Sequence, residues 1–364
     1  MNKQAYLVLA DGSIYEGFSF GGEADTFGEV VFNTSMIGYQ EMLTDPSYAG
    51  QILVPTYPLI GNYGTNEQDN ETGRIQVRGF VVREECLEPS HYLNKRTIHQ
   101  YLLDGGISGI YGLDTRSITR KLRSVGVMMG MITSSMAPQE ALAELKRKPD
   151  YGLTDYVKEV STKKSYIWEK EQSGDDKYNV VAYDCGLKFN ILRLLKAKGC
   201  EVTVVPCTST ADEILKLNPD GILLSPGPGD PELLDYAVKT VQGLVGKKPI
   251  MGICLGNQLI ARAFGARTFK LKFGHRGGNH PVKEFATGRV HITAQNHGYA
   301  VDPDTLKDGL EVTHINLNDG TVEGLRHKEL PIFTIQYHSE DSPGPMDNRY
   351  LFDRFIKMME TGKQ

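Results

Sequence analysis

A single cysteine between two glycines, at the end of an apolar run, is the clearest chemical signal in this chain. The run at 249–253 leads into Cys254 and Gly256, and apolar residues at helical spacing follow over 259–264. That order predicts a strand, a sharp turn and a helix, because glycine avoids the clash that a Cβ would cause in the turn. The N-terminus of the helix favours the thiolate, which is the nucleophilic form of cysteine. Taken alone, the pattern fits a buried core cysteine equally well.

A histidine and a glutamate at the end of a second apolar run could supply a base. Residues 331–340 have the pattern of a strand that ends in His338 and Glu340, and alternation along an extended segment points both side chains the same way. A carboxylate beside an imidazole fixes its tautomer and stabilises the imidazolium once the ring has taken a thiol proton. With Cys254, these residues would form a nucleophile, a base and an orienting acid. By itself His-x-Glu is a weak signal, since half-buried strands often end in polar residues.

A loop of alternating proline and glycine follows a third apolar run. Residues 220–225 have the pattern of a strand, and Gly227 and Gly229 come directly after it. Backbone N–H groups of this loop, with the N–H of Leu255 after the nucleophile, could bind a developing oxyanion. Taken alone, the loop is better explained as a plain turn before a helix that starts near Glu232.

Together, and in this order, the three segments resemble the class I, triad-type glutamine amidotransferase domain. The resemblance covers 178–364. It implies that Cys254 attacks the side-chain amide of glutamine, forms a γ-glutamyl thioester and releases ammonia. It also implies that His338 deprotonates the thiol and later protonates the leaving nitrogen, while Glu340 orients His338.

Five further runs narrow this resemblance. They lie at 28–48, 57–64 and 113–120 in the first half of the chain, and at 272–281 and 293–299 in the second. These runs are similar to the small, glutamine-hydrolysing subunit of carbamoyl phosphate synthetase. Nearly the whole chain is therefore covered by the likeness.

The resemblance implies a substrate and a partner. L-Glutamine is the expected substrate, and a large synthetase subunit is the expected partner, in a heterodimer or a higher oligomer of it. Ammonia would pass to the large subunit, which would make carbamoyl phosphate from bicarbonate, ammonia and ATP. ATP and magnesium are expected on the large subunit, and no cofactor is expected on this chain. Arginine and pyrimidine synthesis both stay open as the pathway served, and the allosteric effectors stay undetermined.

The resemblance also implies which residues hold glutamine. The loop at 296–299 would support the α-amino and α-carboxylate groups, largely through its backbone, and His297 would make hydrogen bonds within the loop. The hydroxyl of Ser47 would reach the same substrate from the other domain. The full set of expected glutamine-binding and oxyanion residues is Ser47, Gly227, Gly229, Leu255, Gln258, Asn296, Gly298 and Tyr299.

A metal site is not expected. His275 and His280 lie near Arg276, but the residues between them include Gly277 and Gly278. Such a loop is a poor frame for metal ligands, and no carboxylate is interleaved with the histidines.

Four positions depart from the family pattern. Asn257 stands where histidine is usual, Ser339 where proline is usual, Asp341 where a small residue is usual, and Pro226 where asparagine is usual. Because position 257 lies after the oxyanion donor, we expect tuning of the rate rather than its loss. Serine at 339 loosens the backbone there, and alternation points Asp341 away from His338.

Composition excludes several classes of function. The chain has 364 residues and a formal net charge of −5, which gives no bulk attraction to nucleic acid or to an anionic membrane. Its five cysteines are odd in number and show no Cys-x-x-Cys spacing. This pattern argues against a disulfide framework or a zinc site and favours a reducing cytoplasm.

The alternation of strand and helix patterns predicts an α/β fold. We expect a C-terminal, doubly wound, mostly parallel sheet of the class I amidotransferase type, preceded by a separate N-terminal mixed α/β domain. The expected boundaries are 1–157 for the first domain, 158–177 for a polar linker and 178–364 for the amidotransferase domain. The candidate motifs fall at the carboxyl ends of strands, where such sheets place their sites.

Two other functions remain open at this stage. One is a γ-glutamyl hydrolase that acts alone, which the additional N-terminal domain argues against. The other is an inactive subunit whose site only senses glutamine, which the departures at Asn257, Ser339 and Asp341 leave possible.

Overall fold

The structure of this protein is a computed structural model that describes residues 3–169 and 177–361. The chain forms two compact units, Met1–Thr154 and Asp155–Gln364. Each unit has its own apolar core.

The first unit is built around a closed barrel of mixed parallel and antiparallel strands. Its strands are β1 (Gln4–Leu9), β2 (Ile14–Gly21), β3 (Thr26–Asn33), β4 (Gln51–Pro55), β5 (Leu59–Ile60), β6 (Gly79–Val81), β7 (Glu84–Glu85), β8 (Ser108–Tyr111) and β9 (Met128–Thr133). Its helices are α1 (Tyr39–Thr44), α2 (Ile98–Asp104), α3 (Thr115–Val125) and α4 (Pro138–Leu145). The barrel order is β1-β2-β8-β6-β4-β3-β9, and β5 pairs with β7 beside it.

The second unit contains a ten-stranded sheet with helices on both faces. Its strands are β10 (Tyr166–Ile167), β11 (Tyr178–Asp184), β12 (Cys200–Pro206), β13 (Gly221–Leu224), β14 (Ile250–Ile253), β15 (Thr268–Glu284), β16 (Val290–Val301), β17 (Leu310–Asn316), β18 (Val322–His327) and β19 (Ile332–Ile335). Its helices are α5 (Val157–Val160), α6 (Phe189–Ala197), α7 (Ala211–Lys216), α8 (Asp235–Leu244), α9 (Leu255–Ala263) and α10 (Tyr350–Thr361). No helix among the described residues combines the length and the apolar character needed to cross a membrane.

The predicted fold class is confirmed, and the sheet also has an antiparallel extension. Strands β12, β11, β13, β14 and β19 are parallel neighbours in that order. Beyond β19 the sheet continues with β18, β17, β15 and β16, which are antiparallel. Buried side chains of β11 alternate between two cores, with Val180 and Ala182 in one and Val181 and Tyr183 in the other. Both faces of the sheet are therefore covered, as a doubly wound fold requires.

The predicted linker at 158–177 lies partly outside the described residues, which exclude 170–176. The part that is described has regular structure. Residues Val157–Val160 form α5, and Tyr166–Ile167 pairs antiparallel with β12. Trp168 packs with Phe189 at a ring-centroid distance of 4.9 Å. This side of the segment is thus tied to the sheet of the second unit.

The turn between β14 and α9 depends on two glycines. A Cβ added to Gly256 would lie 2.3 Å from the carbonyl oxygen of Leu224, and one added to Gly252 would lie 2.8 Å from the backbone of Gly256. The helix therefore approaches the strands more closely than any side chain at these positions allows. This approach places the first turn of α9 directly against the carboxyl ends of β13 and β14.

The substitution Gly256→Ala should lower the free energy of unfolding by roughly 1–3 kcal/mol, because a backbone carbonyl cannot move aside as a side chain can. Urea denaturation of the whole chain measures this change. Gly73→Ala is the matched control, since nothing lies within 4 Å of a Cβ built there. Equal changes in the two variants would contradict the close-packing argument.

Candidate active site

Cys254 occupies a strained turn between β14 and α9. Its φ of 52° is positive, which is uncommon for any residue other than glycine. Its backbone N–H donates to the carbonyl oxygen of Ile335 at 2.8 Å, and the residue is 2% exposed. The surrounding strands over-determine this conformation, which is the usual way that a turn holds a nucleophile at the edge of a sheet.

The thiol of Cys254 lies beside His338 but bonds elsewhere. The Sγ donates to the carbonyl oxygen of Asn296 at 3.7 Å. An interaction with Cys254 nevertheless contributes to raising the pKa of His338. The Nε2 atom of His338 has no hydrogen-bond partner within the described part of the chain. A rotation of the thiol toward this free nitrogen would complete a nucleophile–base pair.

His338 and Glu340 form a short buried pair. The Nδ1 atom of His338 lies 2.6 Å from Oε1 of Glu340, and since a carboxylate can only accept, Nδ1 carries the proton. Regular strand β19 ends at Ile335, three residues before the histidine, so the prediction of one continuous strand through Glu340 was wrong. His338 is instead held by a single bridge to Ala294, with its N–H on that carbonyl at 2.9 Å. The two side chains still point the same way.

A buried lysine completes the charge group, and sequence reasoning missed it. The Nζ of Lys188 lies 2.9 Å from Oε1 of Glu340 and donates to the carbonyl oxygen of Ser342 at 2.5 Å. Lys188 is 1% exposed. Nothing around position 188 distinguishes this lysine from a solvated residue at the start of a helix, because its partner lies about 150 residues away along the chain.

The charges of this group set the protonation of its members. Burial, the largest single influence, would lower the pKa of His338, but it is outweighed by the combined effect of the negative charge of Glu340, the interaction with Cys254 and the hydrogen bond to Glu340. The pKa of His338 is therefore raised to about 10. Burial would raise the pKa of Glu340, yet the charges of Lys188 and His338 hold that pKa well below its ordinary value. Glu340 is thus held as a carboxylate and His338 retains a proton firmly.

The predicted oxyanion loop lies against the start of α9. A Cβ added to Gly227 would meet the carbonyl oxygen of Cys185 at 2.4 Å and a side-chain carbon of Leu255 at 2.6 Å. Gly229 has a φ of 90°, a conformation that favours glycine. Leu255 opens α9, where the first N–H groups have no partner within the helix. The structure brings Gly227 and Leu255 together, with Gly229 two residues further along the loop, and the oxyanion role of all three stays a prediction.

The prediction of a loop at 296–299 was wrong, because these residues lie within strand β16, paired with β15, and they contact the nucleophile from there. Asn296 accepts the bond from the thiol, and the side chain of Gln258 on α9 donates to the carbonyl oxygen of Tyr299 at 2.9 Å. Gly298 lies between these contacts, where an added Cβ would come within 3.4 Å of Arg276. Helix α9 and this part of β16 are therefore fixed to each other, and the contacts that they make to a substrate stay a prediction.

Ser47 belongs to the first unit. It lies in the 3₁₀ turn Pro46–Tyr48, where its N–H donates to the carboxylate of Asp45 at 2.8 Å. Its hydroxyl is buried and has no hydrogen-bond partner within the described residues. The predicted reach of this hydroxyl to glutamine stays a prediction.

The departures from the family pattern have local structural partners. The amide of Asn257 donates to Gln336 at 3.0 Å and accepts from Thr334 at 2.7 Å, so it ties α9 to β19. Asp341 pairs with Nε of Arg349, and because its φ is 63° the strand alternation behind the prediction for its side chain does not hold there; that it points away from His338 stays a prediction. Ser339 is fully buried, and its hydroxyl has no partner in the described part of the structure.

A buried histidine cluster around His297 is a closed hydrogen-bond network. His275, His297 and Glu323 offer atoms within 4.8 Å of one another, as metal ligands would. The carboxylate of Glu323 already accepts amide hydrogens from Asn316 and Gln295, each at 3.0 Å. Both oxygens of Glu323 are thus engaged as acceptors, and both ring nitrogens of His297 lie within hydrogen-bond distance of oxygens, so the cluster already uses its own polar atoms. The absence of a metal site stays a prediction.

The same network holds His297 in β16, within the segment predicted to bind glutamine. Its ring nitrogens lie 2.8 Å from the carbonyl oxygen of Tyr299 and 2.9 Å from the side-chain oxygen of Gln295. Burial, with the nearby charge of His275, lowers the pKa of His297 well below its ordinary value. The predicted hydrogen-bonding role of His297 is confirmed by these contacts.

Comparisons with known proteins place this site in a class. Residues 181–358 match the family described as glutamine amidotransferase class-I, so the second unit carries a domain of this class. Residues 7–132 match the family described as carbamoyl-phosphate synthase small chain, CPSase domain.

Three relatives extend this match to the full chain, and each is named carbamoyl phosphate synthase small chain. The protein from Syntrophotalea carbinolica is 52% identical over 99% of this chain and 99% of its own. The one from Aquifex aeolicus is 50% identical over 99% of this chain and 100% of its own, and the one from Staphylococcus epidermidis is 52% identical over 100% and 98%. The chain belongs to the carbamoyl phosphate synthase small chain family, which confirms the predicted resemblance.

The variant Glu340→Gln should lower the pKa of His338 from about 10 toward its ordinary value of 6.5. The amide keeps an acceptor for the Nδ1 hydrogen but removes the charge that stabilises the imidazolium. An NMR titration of histidine-labelled protein measures this pKa, with His91 of the first unit as an internal reference. The stabilisation that the charged ring provides is fully present below pH 6.5 and is lost as pH rises through about 10. An unchanged titration would place the stabilising charge elsewhere.

Proposed function

We propose that this chain hydrolyses L-glutamine through a thioester on Cys254 and passes the ammonia to a large synthetase chain. The observation that carries the proposal is the His338–Glu340 pair, 2.6 Å apart and buried, beside a cysteine on a strained strand-to-helix turn. This is the arrangement of nucleophile, base and orienting carboxylate that acyl transfer requires. Membership of the carbamoyl phosphate synthase small chain family supports glutamine as the substrate.

In the first half-reaction Sγ attacks the side-chain amide carbon of glutamine as a thiolate, because the raised pKa of His338 favours the ion pair in which the thiol proton already lies on Nε2. Backbone N–H groups near Gly227 and Leu255 would bind the oxygen that becomes negative. The imidazolium then donates its proton to the leaving nitrogen, and ammonia departs as the C–N bond breaks. The raised pKa of His338 keeps the proton on the ring until this nitrogen takes it.

In the second half-reaction His338 acts as base for a water molecule. The water attacks the thioester carbon, the C–S bond breaks, and the thiol regains its proton as glutamate leaves. Glu340 stays ionised through both halves, since the lysine at 2.9 Å stabilises its charge. Lys188 is therefore a positioning residue, which acts through Glu340.

The partner in this proposal is a large chain that makes carbamoyl phosphate from bicarbonate, ammonia and ATP. The family name supports such a partner, because a small chain implies a large one. We place ATP and magnesium on that chain, and glutamine alone on this one.

The variant Cys254→Ser should abolish glutamine-dependent synthesis of carbamoyl phosphate in the complex while leaving ammonia-dependent synthesis intact. A serine hydroxyl is far less ionised than a thiol, so we expect glutamine turnover to fall to about one thousandth or less. Cys86→Ser is the control, because Cys86 is a half-buried cysteine of the first unit. Glutamine turnover equal to that of the wild type would overturn the assignment. Trapping a glutamyl adduct on Cys254 by mass spectrometry separates catalysis from mere sensing of glutamine.

The isolated chain should hydrolyse glutamine slowly, and the large chain should raise the rate by roughly tenfold or more. The described geometry supports this, because the thiol bonds to Asn296 while Nε2 of His338 lacks a partner. A partner that favours the productive rotation would shift the population toward the active state. The measurement is glutamine hydrolysis during titration with the large chain, with and without ATP and bicarbonate. A flat response, or free exchange of the ammonia with labelled ammonium in the medium during synthesis, would contradict the coupling.

A further inference from the structure

The first unit contains a cavity that no part of the proposed chemistry uses. Its volume is about 830 Å³, and it lies between β2, the β7 strand and the start of α2. Cavities of this size commonly hold small ligands or inserted side chains. We call it the Glu85 pocket and define it by Phe18, Phe20, Glu85, His99, Tyr111 and Leu113, which line it.

One oxygen of the Glu85 carboxylate is buried in the wall of this pocket and accepts no hydrogen bond from any residue that the structure describes. This oxygen is Oε1, and the side chain of Glu85 as a whole is 6% exposed. Burial raises the pKa of Glu85, as desolvation of a carboxylate does. A buried carboxylate is normally paired or hydrogen-bonded, because the lost hydration otherwise destabilises it. This oxygen therefore marks a place where a donor is missing.

The nearest basic side chain does not fill that place. The Nδ1 atom of His99 lies 3.9 Å from Oε1 of Glu85. The same nitrogen accepts the backbone N–H of Gly21 at 3.2 Å, so its lone pair is used and its proton lies on the other ring nitrogen. In this arrangement Nδ1 does not donate a hydrogen bond to Glu85, and Oε1 stays without a donor among the described residues.

The charges and rings around the pocket suit an organic cation. Three carboxylates, those of Glu84, Glu85 and Asp114, line it with a single guanidinium, that of Arg83. Tyr111 packs against Phe18 at 5.7 Å and edge-on against Phe20 at 6.0 Å between ring centroids. Aromatic faces attract cations and also cover an apolar stem. A hydrated metal ion would gain nothing from these rings.

We propose that the Glu85 pocket binds a guanidinium or primary ammonium group on an apolar stem, with Glu85 as its counter-ion and the aromatic rings around the stem. Two sources share this chemistry, a free small molecule and an arginine or lysine side chain of the partner chain. Charge-assisted bonds from a planar guanidinium to a carboxylate are strong and directional. They would supply the donor that Oε1 lacks.

The test uses the full chain with n-butylguanidinium as the probe and n-butylurea as its neutral isostere. Ligand-observed NMR titration should show that the wild type binds the cation about tenfold more tightly than the urea, as expected for a hydrogen bond to a charged group. Glu85→Gln should lose this preference, whereas Glu88→Gln should retain it, because Glu88 is an exposed glutamate nearby that does not line the pocket. Equal binding of the two probes by the wild type, or an unchanged preference in Glu85→Gln, would overturn the proposal. The comparison of probes needs only wild-type protein, so the test does not depend on how the variant folds.

A second arm distinguishes the two sources. If the occupant is a partner side chain, Glu85→Gln should weaken association with the large chain about tenfold, and n-butylguanidinium should compete with that association. If the occupant is a free molecule, Glu85→Gln should associate with the large chain as tightly as the wild type does. The wild type should still prefer n-butylguanidinium to n-butylurea. Glutamine hydrolysis by the isolated Glu85→Gln variant should equal that of the wild type in both cases. This arm therefore fails or succeeds independently of the glutaminase proposal.

Discussion

Everything at the candidate active site depends on the burial of three charged side chains in one place. Lys188, Glu340 and His338 are each nearly inaccessible to solvent, and an isolated charge would be costly there. The arrangement persists because each charge has an opposite one within hydrogen-bond distance. As a result, Glu340 is ionised and accepts the hydrogen bond from Nδ1 of His338. The other ring nitrogen, Nε2, is left for the nucleophile.

The second constraint is the close approach of backbone to backbone. Glycines at 252 and 256 let α9 press against the ends of β13 and β14. This close packing holds Cys254 in a conformation with positive φ, which an isolated peptide would leave for a more stable one. The strained turn at Cys254 and the buried charges of Lys188, Glu340 and His338 thus belong to the same site. The thiol bonds to the Asn296 carbonyl, while Nε2 of the neighbouring His338 has no hydrogen-bond partner among the described residues. The nucleophile and the base are therefore adjacent but not hydrogen-bonded to each other.

Local pattern by itself determined much of this protein. The turn at Asp11-Gly12 between two alternating runs predicts the hairpin of β1 and β2, and the structure has it with Gln4 opposite Phe18. The apolar run and glycines around Cys254 predict β14, the turn and α9, which all form at those residues. Such signals are readable because each depends on neighbours within a dozen residues, where periodicity and glycine act directly. The order of three such motifs was enough to indicate the amidotransferase class, and five further runs indicated the narrower family.

Contacts between distant residues were decided only by the tertiary structure. No local signal predicts the ion pair between Lys188 and Glu340, because the two residues lie about 150 positions apart and only the order of strands in the sheet brings them together. The early end of β19 was also decided by a distant contact. The backbone N–H of His338 donates to the carbonyl oxygen of Ala294 in β16 rather than to a neighbouring strand of the parallel core. The antiparallel extension from β15 to β18 likewise follows from which edges remain unpaired. Sequence therefore determined the elements and the chemical types, while packing decided which charge meets which, because burial energies depend on the whole fold rather than on any one segment.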